Sequence, residues 1–310
     1  MLDHRLTVLR TFAACGTVTA AAEALGYSAS AVSSQLREYQ RALGVRLVAK
    51  DGRGLRLTAA GAALVERADD LVALWEEIHG QVRDSDHEAA PALLRLGGFS
   101  TATASLLSPV AAHLRSVHSS LDVHIIEADP ARCVDLLIAE RLDMAVIVAM
   151  QATPELGESA LEQLPLLDDP LDVIVPADHP LVGRRAVALE ELAGDPWITD
   201  RPGTPYRALF VTAFTAAGAT PRVAHQVSDW GSQESLVGNG LGVAFIPRLM
   251  RLSSDSGAVR IPLEGNTAPT RKILVVLRRG ARSHQIFAEV LEALRETARS
   301  THVLTEPRGD

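Results

Sequence analysis

The chain has only two cysteines in 310 residues, Cys15 and Cys133, and neither belongs to a Cys-x-x-Cys pair. A disulfide scaffold and a thiolate zinc site are thereby excluded, and a reducing compartment is the natural one. The ten histidines show no His-Glu-x-x-His or other compact ligand spacing, so no metal or other cofactor is expected. There is no Gly-x-Ser-x-Gly elbow and no evident set of acid, base and nucleophile, which speaks against an enzyme. Long apolar runs are missing too. The longest in the body, Met144 to Met150, is too short to span a bilayer. Residues 1–30 carry charge at Asp3, Arg5 and Arg10 but no continuous apolar core followed by a cleavage site. The expectation is a cytoplasmic protein with no membrane contact. Gly238-x-Gly240-x-Gly242 follows a helical pattern and precedes a strand-like one, the reverse of the order that phosphate binding requires.

What is present begins with residues 18–43, which read as two short helices joined by a tight turn. Ala21, Ala22 and Leu25 give the first a small apolar face, Gly26 supplies the positive φ that ends it, and Ser28 caps the second. In the second helix Val32, Leu36, Tyr39 and Leu43 form one stripe predicted to be buried, leaving Ser30, Ser33, Ser34, Arg37 and Arg41 on the opposite face. Two short strand-like runs follow, around the hairpin signal Asp51-Gly52, and form a basic wing. Residues 1–60 hold eight basic side chains against four acidic ones. Their net charge of plus four leaves minus twelve for the rest of a chain whose total is minus eight. A small polyanion-binding head on an acidic body has this asymmetry.

Residues 58–86 contain no proline, and Gly61, Leu64, Ala68, Leu71, Trp75, Ile78 and Val82 keep a three-four alternation throughout. That is a coiled-coil seam, with a long helix packed on its own domain as the alternative. From Leu93 onward short apolar runs alternate with helical patterns, the signature of α/β units on a mostly parallel sheet, and two similar sets suggest two lobes. Strands are predicted at 93–99, 123–127, 144–149, 171–176, 196–199, 222–227, 243–246 and 273–277. Helices are predicted at 101–117, 131–141, 206–217, 231–239 and 285–299. Ligands in such sheets sit beyond strand ends at helix N-termini. Three segments qualify: Ser100, Thr101 and Thr103; Thr199 to Thr204, with Arg201 as a carboxylate clamp; and Ser228 to Ser232, with Trp230 as a stacking wall.

Leu9-x-x-Phe12, Ala21-Ala22-x-x-Leu25, Ala31-Val32-Ser33-x-Gln35, Leu43-Gly44-x-x-Leu47 and Leu57-Thr58-x-Ala60-Gly61 in the head, with Asp178-His179-Pro180-Leu181 and Leu236-Val237-x-x-Gly240-Leu241-Gly242 in the body, resemble the LysR-type bacterial transcriptional regulators. The resemblance runs from the first helix to near the C-terminus. It implies a winged helix-turn-helix over 1–58, a linker dimerisation helix and hinge over 59–90, and an α/β effector-binding domain over 91–310 like a periplasmic binding protein. Lobe I would hold about 91–161 and 267–310 and lobe II about 162–266, with chain crossings near 150–162 and 265–272.

The implied partners are double-stranded operator DNA, a small-molecule effector, a second copy or a homotetramer, and RNA polymerase where the regulator activates. Ser28, Ala29, Ser30, Ser33 and Ser34 would face the groove, Ala29 offering only a methyl where the family commonly has Gln. Arg37, Arg41, Lys50, Arg53 and Arg56 would reach phosphates or the adjoining minor groove. Ser100, Thr101, Thr103, Arg201, Thr204 and Trp230 would line the effector cleft, and Arg201 with Trp230 suits a small organic acid. The alternative is a two-lobed binding protein or enzyme with an accessory helical head.

Overall fold

A computed structural model describes residues 2–52, 54–85, 93–149, 160–264 and 268–305. The chain divides into two compact units, one built from Met1–Val148 with Thr153–Leu166 and Leu274–Thr297, the other mainly from Leu167–Ile273.

The head of the first unit holds α1 (His4–Cys15), α2 (Val18–Leu25) and α3 (Ala29–Leu43). Each start is set by a side chain that accepts a backbone N–H: Asp3 from Arg5, Thr17 from Ala20 and Ser28 from Ala31. Gly26 ends α2 at φ +73°, as the sequence requires. Leu9, Phe12, Ala21, Leu25, Val32 and Leu36 make the core. Leu43 does not join it. It is 46% exposed, at the last residue of α3. Strands β1 (Val48–Asp51) and β2 (Gly54–Leu57) pair antiparallel in the expected wing, with Asp51 opposite Gly54.

Helix α4 (Ala59–Asp84) starts at Thr58, whose hydroxyl accepts from Gly61 N–H. Its alternating seam splits between two faces. Gly61 and Ala68 are buried with Asp69, Val72, Ala73, Glu76 and Gly80 against the chain itself, while Leu71, Leu74, Trp75, Ile78 and Val82 form an exposed stripe. Small residues allow the close approach. A Cβ on Gly61 would lie 2.1 Å from the Leu47 carbonyl oxygen, and one on Gly280 would lie 2.2 Å from that of Ala73.

The rest of this unit follows the predicted alternation. Strands β3 (Leu93–Gly98), β4 (Asp122–Glu127) and β5 (Met144–Ala149) are parallel, with β3 between the other two. The helix expected over 101–117 is continuous but irregular: α5 (Ser100–Ala102), a π-helical turn over Thr103–Leu107, then α6 (Ser108–Val117). Helix α7 (Pro130–Ile138) ends early, and Glu140 after it takes a left-handed φ of 56°.

Strand β6 (Leu161–Pro176) leads from the first unit into the second. There β7 (Pro196–Thr199) lies parallel to β8 (Arg222–Gln226) and β9 (Val243–Pro247), while β6 pairs antiparallel with β9 and with the short β10 (Ala258–Ile261). Helices α8 (Pro205–Ala216) and α9 (Trp230–Gly238) belong to this unit, whose core is Trp197 edge-on to Phe210, Phe214 and Phe245. Strand β11 (Thr270–Arg278) returns the chain to the first unit, ahead of α10 (Gln285–Thr305). Of the expected crossings, 150–159 and 265–267 lie outside the described residues.

Strand β6 is ten residues longer at its start than the apolar run 171–176 suggests. Its first part carries two prolines and two adjacent aspartates, which read as loop. The fold instead neutralises the buried acids. Asp169 accepts from Arg271 Nε at 3.1 Å, and Asp172 accepts from Arg248 and Arg260.

Candidate nucleic-acid interface and ligand cavity

The face of α3 opposite its core stripe carries the residues expected to read a groove. Ser28, Ala29 and Ser30 are exposed at the N-terminus, and Ser33 and Ser34 are half-buried one turn on. Their hydroxyls are ordered locally: Ser28 and Ser30 lie 2.9 Å apart, and Ser34 donates to Glu38 at 3.0 Å. Arg37 is exposed and folds back so that Nε donates to the Ser33 carbonyl at 3.2 Å. Arg41, Lys50 and Arg56 are exposed as well, and Arg53 lies outside the described residues.

Sequence reasoning missed how the wing is fixed. Gln40 Oε1 accepts from the backbone N–H groups of Leu47 and Val48, at 2.8 and 3.0 Å, and so ties α3 to β1. Tyr27, in the turn, bonds His4 at 3.0 Å. Neither residue breaks a helical or strand period, so only capping and turn chemistry could have flagged them.

The head is also tied to the rest of its unit. Arg10 Nε donates to Asp69 at 2.8 Å, both side chains buried. Glu140 accepts from Thr7 at 3.0 Å, and Arg132 and Arg141 donate to the carbonyls of Glu23 and Leu25, each at 2.9 Å. The two arginines thus meet the carbonyl end of α2, where the helix dipole favours cations. Arg278, 5% exposed, joins Glu76 on α4 to the Leu142 carbonyl and Asp143. Burial alone would raise the Glu76 carboxyl. Hydrogen bonds and charge from His284 and Arg278 outweigh burial and bring it down to about 2.

Of the effector residues, Ser100 is exposed, Thr101 is buried, and Thr103 donates to the Gly98 carbonyl at 3.2 Å, all in the first unit. The second unit contains a small, partly open cavity of about 20 Å³. Trp230 lines it, as do Tyr206, Asp200, Ser228 and Gln233, over an apolar base of Leu171, Phe210 and Phe245. Trp230 and Tyr206 meet edge to face, ring centroids 5.0 Å apart. Arg201 is exposed and is not among the lining residues; its backbone N–H donates to Asp200, and Thr204 caps α8 instead of facing the cavity. Gln233 escaped the sequence reading because a glutamine at a helical position is ordinarily solvated.

Among the described residues no cluster of His, Cys, Asp or Glu suits a metal ion, and no helix is long and apolar enough to cross a membrane. Both thiols are free, and burial, the main cause in each case, pushes Cys15 and Cys133 up to about 12.

Comparison with known proteins adds to this geometry. Residues 4–62 match the model of the bacterial regulatory helix-turn-helix protein of the lysR family, and residues 87–299 match that of the LysR substrate binding domain. A probable hydrogen peroxide-inducible genes activator of Streptomyces viridosporus is 29% identical over 306 residues, covering 96% of each chain. The Hca operon transcriptional activator HcaR of Escherichia coli is 27% identical, over 84% of this chain and 86% of its own. Among solved structures, a full-length OxyR variant from Pseudomonas aeruginosa superposes with a TM-score of 0.64 at 21% identity, covering 94% and 97% of the two chains. Full-length CbnR bound to its target DNA gives 0.55 at 20%, covering 96% of this chain and all of its own. A head built as a helix-turn-helix, followed by a matching substrate-binding domain, makes this chain a member of the LysR family of DNA-binding transcriptional regulators, which are not enzymes.

Proposed function

We propose that α3 enters the major groove of an operator, with Ser28, Ala29, Ser30, Ser33 and Ser34 toward the bases and Arg37, Arg41, Lys50, Arg53 and Arg56 on the phosphates and wing-side groove. The observation that carries this reading is the polar face of α3, left open by a helix whose other face is buried and whose wing is pinned by Gln40. The exposed stripe of α4, from Leu71 to Val82, pairs with a second copy, and further contacts make a dimer of dimers. The regulator works in the cytoplasm and responds to a small effector held by the second unit's cavity, with Ser100, Thr101, Thr103, Arg201 and Thr204 as the further effector candidates. RNA polymerase is an additional partner where the outcome is activation.

A mobility-shift titration on DNA upstream of the gene, at several salt concentrations, tests the reading. The double variant Ser33→Ala, Arg37→Ala should bind at least tenfold more weakly, because each good base contact contributes about 1–3 kcal/mol and a phosphate contact adds to the salt slope. Unchanged affinity would overturn the assignment of the face.

A further inference from the structure

The polar lining of the second unit's cavity holds neutral groups, the Thr199, Tyr206 and Ser228 hydroxyls, the Trp230 indole N–H and the Gln233 amide, and a single charge of negative sign. Asp200 is the only charged side chain that lines it. Its Oδ1 accepts the Ser228 hydroxyl at 2.5 Å and the Arg201 backbone N–H at 2.6 Å, and Oδ2 has no partner among the described residues. Gln233, 2% exposed, is held with its amide in one sense. Nε2 donates to the Val227 carbonyl at 2.7 Å, which leaves Oε1 as an acceptor with no partner among the described residues. An amide oxygen left open beside a half-open carboxylate suits a donor.

The nearby positive groups do not reverse this sign. Arg271 lies behind Tyr206, donates to its hydroxyl at 2.7 Å and is paired with Asp169; it does not line the cavity. Arg207 sits over Phe210, 5.2 Å from the ring centre, and is also outside the lining. Each of the two helix N-termini at hand has one first-turn N–H taken by its own cap, Thr204 on α8 and Asp229 on α9. An incoming carboxylate would meet the Asp200 charge and the Gln233 oxygen, both repulsive. An ammonium group would donate to both oxygens and lie against the electron-rich indole of Trp230 while its apolar body rests on Phe210, Phe245 and Leu171.

We propose that the effector of this cavity is a small primary amine, bound as its ammonium ion, and not the organic acid that Arg201 suggests from sequence. This rests on the reading that the cavity is the effector site. The test is calorimetric titration of the full-length protein with two matched probe pairs, benzylamine against benzoate and butylamine against butyrate, with DNA mobility shifts in parallel.

The amines should bind saturably and the acids should not. Asp200→Asn should weaken amine binding at least tenfold, and Trp230→Leu several-fold, with the unliganded melting temperature of each variant confirming that it folds. Binding of the acids in place of the amines, or amine binding unchanged in both variants, overturns the amine assignment while leaving an effector cavity. If neither class binds but a cell extract alters operator affinity in a Trp230-dependent way, the amine assignment falls and the effector site stands. If no extract has any effect, both readings fall.

Discussion

Replacing Arg278 by methionine removes a buried guanidinium that joins α4 to the strands of its unit. The side chain is 5% exposed and donates to Glu76, to the Leu142 carbonyl at 2.6 Å and, at 3.4 Å, to Asp143. Asp143 keeps a second partner, since Arg95 meets it with two nitrogens at 2.6 and 3.0 Å. Among the described residues Glu76 would retain His284, 3.5 Å away. The loss therefore concentrates on one buried carboxylate.

Two routes give its size. A carboxyl held at about 2 instead of 4.5 by His284 and Arg278 together contributes about 3 kcal/mol at neutral pH, of which Arg278 supplies a part. Removing one partner of a buried ion pair costs roughly 3–5 kcal/mol. The assay is hydrogen exchange by mass spectrometry on peptides from α4, where a 3 kcal/mol loss lowers protection by roughly a hundredfold. The double variant Glu76→Gln, Arg278→Met should recover part of that loss, because no unpaired charge remains. A loss under about 1 kcal/mol in the single variant, or a double variant worse than the sum of its parts, would refute the reasoning.

The same carboxyl fixes the acid limb of stability. Its pKa is depressed in the folded state, so its contribution is full above about 4.5 and is lost as pH falls toward about 2. Urea midpoints measured from pH 6 to pH 2 should fall less steeply in Glu76→Gln than in the parent protein. The thiols should be inert. With Cys15 and Cys133 both pushed up to about 12, alkylation at pH 7 should run at least ~100-fold slower than for a free thiol, and peroxide should leave operator affinity unchanged; rapid labelling of Cys133 would contradict its burial. Gly280→Ala should loosen α4, because φ is +87° and the added Cβ would meet the Ala73 carbonyl oxygen at 2.2 Å. A melting scan should show a loss of about 2 kcal/mol or more.

The end of α2 and the start of α3 were legible because their causes are local, Gly26 at the one and the Ser28 hydroxyl at the other. The faces of α4 were not. A three-four repeat marks apolar positions but does not say which meet the helix's own chain, and here Gly61 and Ala68 turn inward while Trp75 and Val82 stay open. The first ten residues of β6 were hidden for the opposite reason. Asp169 and Asp172 look solvated until Arg271, Arg248 and Arg260, about eighty to a hundred residues away in the sequence, arrive to pair with them. At the cavity Trp230 was foreseen from its place after a strand. Asp200 and Gln233 were not singled out, because an unpaired lone pair exists only once the fold has decided which partners a side chain has found.

The ties within the first unit constrain how an effector can act on DNA. Arg10 grips Asp69 near the start of α4, Arg278 grips Glu76 further along it, and Arg132, Arg141 and Thr7 tie the head to α7 and the turn after it. A swing of the head on its own linker would break several of these at once, among them the buried Arg10–Asp69 pair, where stripping away one partner costs roughly 3–5 kcal/mol. A ligand that prefers one arrangement over another by the usual coupling of about 1–3 kcal/mol cannot supply that. The head, α4 and the strands beneath it therefore move together. The cheaper places for change are the exposed stripe from Leu71 to Val82, where the proposed partner packs, and the strands β6 and β11, by which the chain enters and leaves the unit that holds the cavity.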